Sequence, residues 1–448
     1  MTGLSALVAR SVARVPRAAV VLVVVALLVR VAFVLATPGY VPHHDDRDYD
    51  RLACGLVEGD GYSRVGPPRT AEACGDRAMH GGPTAYRPPG FPMFLAAVYT
   101  VSEPLGADRW VTARLAQALL GTAVVALLGV IAGQLWGRRT ALFALGLAAV
   151  FAPGVVLGGS LLTETLFVAL MLAAIAAVLA DRAAGGARRW LVVAGVLCGL
   201  ALLSRSNAPV LLLPLAIAVA GAGERRRLRA RLGRAAVLLG IAALVAAPWT
   251  IRNAIAMHAF VPVTTEAGST LAGTYNDSAR FDAAWPGAWK PQADSPEMRS
   301  FLHPLRGDEV GQQRALVRRS LHYMAHHPVY VAQVGGWNLL RLSGLEGRDW
   351  WYFSGRTLSL PRWTADVSGV VFLLFLALAA VGACTAAARA APRWFWLTSV
   401  LMLLSVVFII GETRFRAPID PFVVLLAALA VARLVPGGSA RRRAPTPI

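Results

Sequence analysis

The sequence contains few charged residues. Only 15% of its 448 residues are Asp, Glu, Lys or Arg, whereas about a quarter are charged in an ordinary globular domain. Hydrophobic residues make up 56%, and apolar stretches of 17 or more residues recur along the chain. This composition excludes a soluble Rossmann or barrel enzyme and predicts a bundle of helices embedded in lipid.

Acidic residues are scarcest in the short segments between the apolar stretches. Ten membrane spans are predicted, at roughly 18–36, 110–136, 140–158, 160–180, 190–204, 207–222, 234–250, 366–387, 394–410 and 418–435. If the N-terminus is cytoplasmic, the segments on that side hold 20 of the 44 basic residues but only Asp181 and Glu224 among the 25 acids. This asymmetry predicts a multi-pass protein of the cell membrane with both termini in the cytoplasm, and it explains the arginines of 225–231 without a nucleic-acid partner.

The sequence lacks internal repeats, and its organisation follows from two long loops. An N-terminal transmembrane module (1–250) contains the first loop (37–109), a second loop covers 251–365, and 366–448 holds the last helices and a basic tail. Both loops are predicted to lie outside the cell. They hold most of the acids, histidines and aromatic residues, so we expect any chemistry on the extracytoplasmic face.

The first loop begins with a dense group of ionisable residues. Segment 46–58 has a helical pattern with Tyr49 and Leu52 on its apolar face, and Asp45 and Asp46 stand at its start. One of these acids could simply cap the helix. A metal site made of these acids and the two preceding histidines is not adopted, because four consecutive side chains cannot converge on one ion. No metal or other cofactor is expected.

A proline-rich turn follows later in the same loop. Pro88 and Pro89 forbid a regular helix and hold Tyr86 and Arg87 in a stiff extended turn. Such a turn could aim the planar fork of the arginine at a phosphate. The alternative is a simple turn whose arginine lies along the membrane surface.

Three further residues stand out by their position. Glu164, near lipid at one end of the fourth predicted span, is costly unless it is functional or paired, so an acceptor-binding role, a helix cap and an ion pair remain open. Cys54 and Cys74 are the two cysteines of a loop predicted to face an oxidising compartment. We expect them to form a disulfide, worth about 3 kcal/mol by loop entropy.

Several motifs occur in a fixed order along nearly the whole chain. They are Tyr49-x-x-Leu52-Ala53 with an Asp four positions before it, Gly59-x-Gly61-Tyr62, and the segments 87–92, 161–167, 202–205, 248–253, 260–264 and 414–421. This ordered set resembles the bacterial GT-C glycosyltransferases, and in particular the group of protein O-mannosyltransferases and lipid A aminoarabinose transferases.

The resemblance implies a GT-C helical bundle that transfers a sugar, with inversion, from a polyprenyl-phosphate donor to an acceptor hydroxyl outside the cell. The lipid tail would lie between helices, and Asp45 would be the general base, with Asp46 as its rival. Five arginines are candidates for the donor phosphate, namely Arg87, Arg205, Arg252, Arg414 and Arg416. Candidate substrate contacts are Tyr49, Tyr86, Glu164 and Asn253.

Arg414 and Arg416 are two residues apart before Pro418, so on an extended stretch they are expected to face the same anion. The donor sugar (mannose, arabinofuranose, an amino sugar or another) and the acceptor (protein, lipid or polysaccharide) stay open. The alternative function is a transporter or flippase of a lipid-linked substrate. Transporters tend to have internal repeats and ionisable residues at mid-membrane, which are not found in this sequence.

Overall fold

The computed structural model describes residues 16–65, 74, 80–222 and 227–435. These residues form twenty α-helices and one antiparallel two-stranded hairpin. The strands are β1 (Ser63–Val65) and β2 (His80–Pro83). The helices are α1 (Arg17–Ala36), α2 (Asp45–Val57), α3 (Gly90–Ser102), α4 (Arg109–Trp136), α5 (Arg138–Val150), α6 (Ala152–Leu157), α7 (Glu164–Ala183), α8 (Arg188–Leu202), α9 (Pro209–Ala220), α10 (Leu228–Ala256), α11 (Ala267–Thr274), α12 (Asp277–Arg280), α13 (Pro296–Leu302), α14 (Glu309–His326), α15 (Pro328–Leu342), α16 (Arg348–Gly355), α17 (Trp363–Ala383), α18 (Ala386–Ala390), α19 (Arg393–Val407) and α20 (Asp420–Leu434).

Five helices are long and apolar enough to cross a membrane. They are α1, α4, α7, α10 and α17, and α9 and α19 are shorter apolar helices. The chain is therefore a largely helical protein of membrane type, while the count of ten spans and their orientation stay predictions.

The span predicted at 140–158 is interrupted. Helix α5 ends at Val150, Phe151 is extended, and α6 begins at Ala152. The cause is Pro153, which has no N–H to continue the helical hydrogen bonds. Arg30, buried in α1, donates to the carbonyl oxygens of Ala148 and Ala149 at this break, 3.4 Å away in each case.

Close helix contacts build the core of the bundle. Helix α4 packs against α5 and α7, α8 against α7 and α10, and α17 against α20. At the last of these contacts a Cβ on Gly382 would lie only 1.9 Å from the carbonyl oxygen of Leu426, so a glycine is required there.

In the described part of the first loop, two helices pack against each other and against α4. Helix α2 packs on α3, and its Cys54 is joined to Cys74 by a disulfide with a Cα–Cα distance of 5.1 Å. Asp50 is fully buried, pairs with Arg109 at 3.2 Å and accepts a hydrogen bond from the Tyr99 hydroxyl at 2.7 Å. This buried pair fixes the position of α2, whose first residue is Asp45.

The second loop folds over the first. Helix α14 begins with Glu309, whose carboxylate accepts hydrogen bonds from Thr84 at 2.6 Å, the Ala85 N–H at 2.9 Å and Thr265 at 2.7 Å. These contacts place the residues before α11 directly beside the proline-rich turn.

Candidate active site

A polar cavity of about 160 Å³ lies where the two loops meet the ends of the helices. We call it the central cavity. Its lining contains four carboxylates and three guanidiniums from distant parts of the chain: Asp45, Arg87, Glu164, Arg205, Glu266, Glu412 and Arg414.

Asp45 and Asp46 have different environments. Asp46 is fully buried and caps α2: one oxygen accepts the N–H groups of His43, His44 and Arg47 at 2.8–3.1 Å, and the other accepts the Tyr40 hydroxyl at 2.6 Å. Asp46 thus has the structural role that the sequence left open, since it satisfies N–H groups at the start of the helix from within the first turn, while the N-cap position itself is His44. Asp45, with its side chain 28% exposed, faces the central cavity.

Arg87 reaches Asp45 from the proline-rich turn. Its Nη2 lies 2.5 Å from Asp45 Oδ1 and 3.0 Å from Asp48 Oδ2, and its Nη1 lies 3.2 Å from Glu266 Oε2. The turn is held in place by Gly90, whose N–H donates to the carbonyl of Leu203 at 2.7 Å and which has no room for a Cβ. Arg87 therefore projects into the cavity and does not lie along a surface.

Arg414 contacts the other oxygen of the same acid. Its Nη2 lies 2.5 Å from Asp45 Oδ2, and its Nε lies 3.1 Å from Glu412 Oε2. Asp45 is thus held between two guanidiniums.

Arg416 does not share this site, contrary to the expectation from its spacing. Residues Thr413–Arg416 form a 3₁₀ turn, in which side chains two residues apart point in different directions. Arg416 is buried, pairs with Asp420 at 3.2 Å and donates to the carbonyl of Leu342 at 3.0 Å. The expectation that Arg414 and Arg416 face one anion is therefore wrong.

Glu164 and Arg205 form an ion pair in the cavity wall. Arg205 Nη1 lies 2.8 Å from Glu164 Oε1, and both side chains are almost completely buried. Within the described part of the chain, Glu164 Oε2 has no hydrogen-bond partner. The ion pair left open by the sequence is thus present, with one acceptor oxygen still unused.

Arg252 and Asn253 lie outside the central cavity, because α10 continues to Ala256 and carries them to the hairpin. Arg252 donates to the carbonyl oxygens of Thr84 at 2.7 Å and Tyr62 at 2.6 Å. Asn253 is buried and donates to those of Val261 and Val263. Both side chains support loop structure, which corrects their expected contacts with phosphate and substrate.

Two tyrosines predicted as substrate contacts line the cavity. Tyr49 packs edge-on against Phe91, with ring centroids 5.3 Å apart, and the Tyr86 hydroxyl lies 2.9 Å from Ser269 Oγ. The Arg87 guanidinium lies over both rings, 5.4 Å from the centroid of Tyr49 and 4.9 Å from that of Tyr86.

Glu266 and Glu412 are cavity residues that none of the sequence motifs contains. Glu266 stands two residues after the motif that ends at Thr264, and Glu412 stands two residues before Arg414. A search for acids next to the motifs would have found both, but only the fold brings them to Arg87 and Arg414.

The charges around Asp45 set its protonation state. Burial by itself raises the pKa of Asp45, but Arg87 and Arg414 outweigh it and hold this pKa well below the ordinary carboxyl range. Burial raises the pKa of Glu412, and the nearby Arg414 only partly opposes this. The first acid is therefore ionised in a donor-free site.

An apolar cavity adjoins the central one and shares Glu164 with it. Its walls come from α1 and α4–α7 and from the start of α20, and its volume is about 50 Å³. Among the described residues, no group of three or more His, Cys, Asp or Glu side chains is arranged to hold a metal ion.

Comparison with solved structures of similar architecture shows which fold the chain has. The archaeal oligosaccharyltransferase AglB of Archaeoglobus fulgidus, solved with an inhibitory peptide and a dolichol-phosphate, matches 93% of this chain with a TM-score of 0.54 and 16% identity. The chain has the GT-C fold. A second structure of an oligosaccharyltransferase from this organism, a complex with Zn and sulfate, matches 92% of the chain with a TM-score of 0.52 and 15% identity.

The GT-C resemblance in the sequence is thus confirmed. The match covers only part of the length of the two oligosaccharyltransferases. The chain spans about half of these oligosaccharyltransferases, 50% and 49% of their lengths. ArnT from Cupriavidus metallidurans, bound to undecaprenyl phosphate, matches 92% of this chain and 77% of its own, with 16% identity and a TM-score of 0.43. Residues 86–251 match the family model of dolichyl-phosphate-mannose-protein mannosyltransferases. No curated protein matches the sequence significantly.

Proposed function

We propose that the protein is an inverting glycosyltransferase that moves a sugar from a polyprenyl-phosphate donor to an acceptor hydroxyl on the extracytoplasmic face. The observation that carries the proposal is the carboxylate of Asp45 between Arg87 and Arg414 in the central cavity. A general base beside two fixed cations is what this transfer needs, because a hydroxyl loses a proton while a phosphate departs. The mannosyltransferase family model and the dolichol-phosphate of the archaeal neighbour support a lipid-phosphate donor.

In the proposed reaction, Asp45 takes the proton of the acceptor hydroxyl. The hydroxyl oxygen attacks the anomeric carbon, the bond from that carbon to the phosphate oxygen breaks, and polyprenyl phosphate leaves with the electron pair. Arg87 and Arg414 stabilise the negative charge on the leaving phosphate. The donor sugar would lie against Tyr49, Tyr86 and the unused oxygen of Glu164.

The same two arginines connect donor binding to the strength of the base. Without donor, both guanidiniums form ion pairs with the ionised carboxylate of Asp45 and keep its pKa low. A carboxylate with so low a pKa is a weak proton acceptor. A donor phosphate competes for both guanidiniums, so its binding raises the pKa of Asp45. We therefore expect the donor to bind before the acceptor reacts.

The test is to incubate the purified protein with a panel of polyprenyl-phosphate sugars and to measure the release of polyprenyl phosphate. Release from one donor, abolished by Asp45→Asn and retained by Asp349→Asn, supports the proposal. Asp349 is an exposed aspartate outside the central cavity and serves as the matched control. Transfer of intact donor between the leaflets of a vesicle, without release, would instead support a flippase.

A further inference from the structure

A second cavity lies on the far side of Tyr86 and Arg87, and we call it the side cavity. Its volume is about 340 Å³, and it shares these two residues with the central cavity. Asp48 and Arg51 of α2 also line it. Arg87 is therefore part of the wall between the two cavities, and it contacts Asp48 at 3.0 Å and Asp45 at 2.5 Å.

Helix α2 connects the two cavities. Asp48 is three residues from both Asp45 and Arg51, so it neighbours each of them on the helix surface. The rise of an α-helix places Arg51 roughly 9 Å along the axis from Asp45. A ligand that binds Arg51 in the side cavity would have to pass Asp48 and Arg87 to bring its other end to the proposed base.

Arg51 lines the side cavity without an ion-pair partner among the described residues. Within the described part of the chain it makes no ion pair or hydrogen bond, and its Nε is buried without a partner. Burial, followed by repulsion from Arg47, lowers the pKa of Arg51, and Asp48 and Asp50 only partly compensate. A half-buried guanidinium in a cavity wall, with donors unused, is suited to bind an anion.

We propose that the side cavity is the acceptor subsite and that Arg51 binds an acidic substituent of a glycan acceptor. This inference rests on the proposed transferase function. The substituent, a phosphate or a carboxylate, would lie about one sugar ring away from the hydroxyl that is delivered to Asp45. Entry of that hydroxyl displaces Asp48 from Arg87, and the freed carboxylate of Asp48 accepts a second hydroxyl of the acceptor.

The experiment compares acceptors that differ only in charge. With the donor identified above, transfer is measured to a neutral alkyl glycoside, to its 6-phosphate, to the matching uronate and to an acidic Ser/Thr peptide. The wild type is expected to prefer a charged glycoside by about tenfold to a hundredfold in kcat/KM, the range for hydrogen bonds to a charged group. The phosphate and uronate arms show which acidic group is recognised.

The variant Arg51→Gln should lose this preference and keep its rate with the neutral glycoside, which also shows that it is folded. Arg51→Lys should keep part of the preference, since the charge remains while the fork is lost. Arg47→Gln is the matched control, because Arg47 is an exposed arginine of the same helix outside the side cavity.

Equal use of neutral and charged glycosides by the wild type overturns the inference, as does an unchanged preference in Arg51→Gln or transfer to the peptide alone. Donor consumption in any of these cases leaves the transferase function standing. If no donor is consumed with any acceptor, water included, the proposed function fails and the acceptor subsite fails with it.

Discussion

Replacing Arg414 and Arg416 separately by glutamine should produce two different defects. Arg414 contacts Asp45 and Glu412 in the central cavity, whereas Arg416 is buried against Asp420. We expect Arg414→Gln to lower kcat/KM for the donor about 10²–10³-fold, or roughly 3–4 kcal/mol, the usual loss for one preorganised donor to a developing negative charge.

Arg416→Gln should instead reduce stability. Its side chain and that of Asp420 are 6% and 12% exposed, so the variant leaves a buried carboxylate without its cation. Breaking such a pair costs about 3–5 kcal/mol. Thermal unfolding in detergent should therefore show a clear fall in Tm, while the protein that remains folded uses the donor with nearly unchanged KM.

The assay is polyprenyl phosphate release at limiting donor, with each rate corrected for the folded fraction. A stable Arg416→Gln protein with a large rise in donor KM would refute the separation of the two arginines. Full activity of Arg414→Gln would refute its role at the phosphate.

Three further results are expected. Asp45→Asn should abolish transfer with donor binding retained, as measured by rate and by donor-binding titration, and an active variant would move the base elsewhere. Arg87→Gln removes a cation that holds the pKa of Asp45 low, so this pKa should rise towards the ordinary carboxyl range. The fall of kcat/KM at acidic pH should then begin at a higher pH. An unchanged pH profile would contradict the role of Asp45 as the base. Cys54→Ser with Cys74→Ser opens a loop with a sequence separation of 20, so the free energy of unfolding should fall by about 3 kcal/mol. If neither this double change nor reduction of the wild-type protein alters Tm, the disulfide does not stabilise the fold.

Local chemistry in the sequence determined much of this protein. Apolar length and the low content of charge are sufficient to indicate lipid-embedded helices, because no other environment accepts such segments. Pro88 and Pro89 stiffen the turn that carries Arg87, and the ordered GT-C motifs by themselves indicate the fold.

Only the tertiary structure decided which residues share a site. Asp45 and Asp46 are neighbours of the same type, and the packing around them places Asp45 between Arg87 and Arg414 in the cavity and buries Asp46 against Tyr40. Arg414 and Arg416 are likewise separated by the tight turn between them. Glu266 lies 179 positions from Arg87 in the chain, so their ion pair depends on the packing of the second loop over the first, which no local pattern encodes.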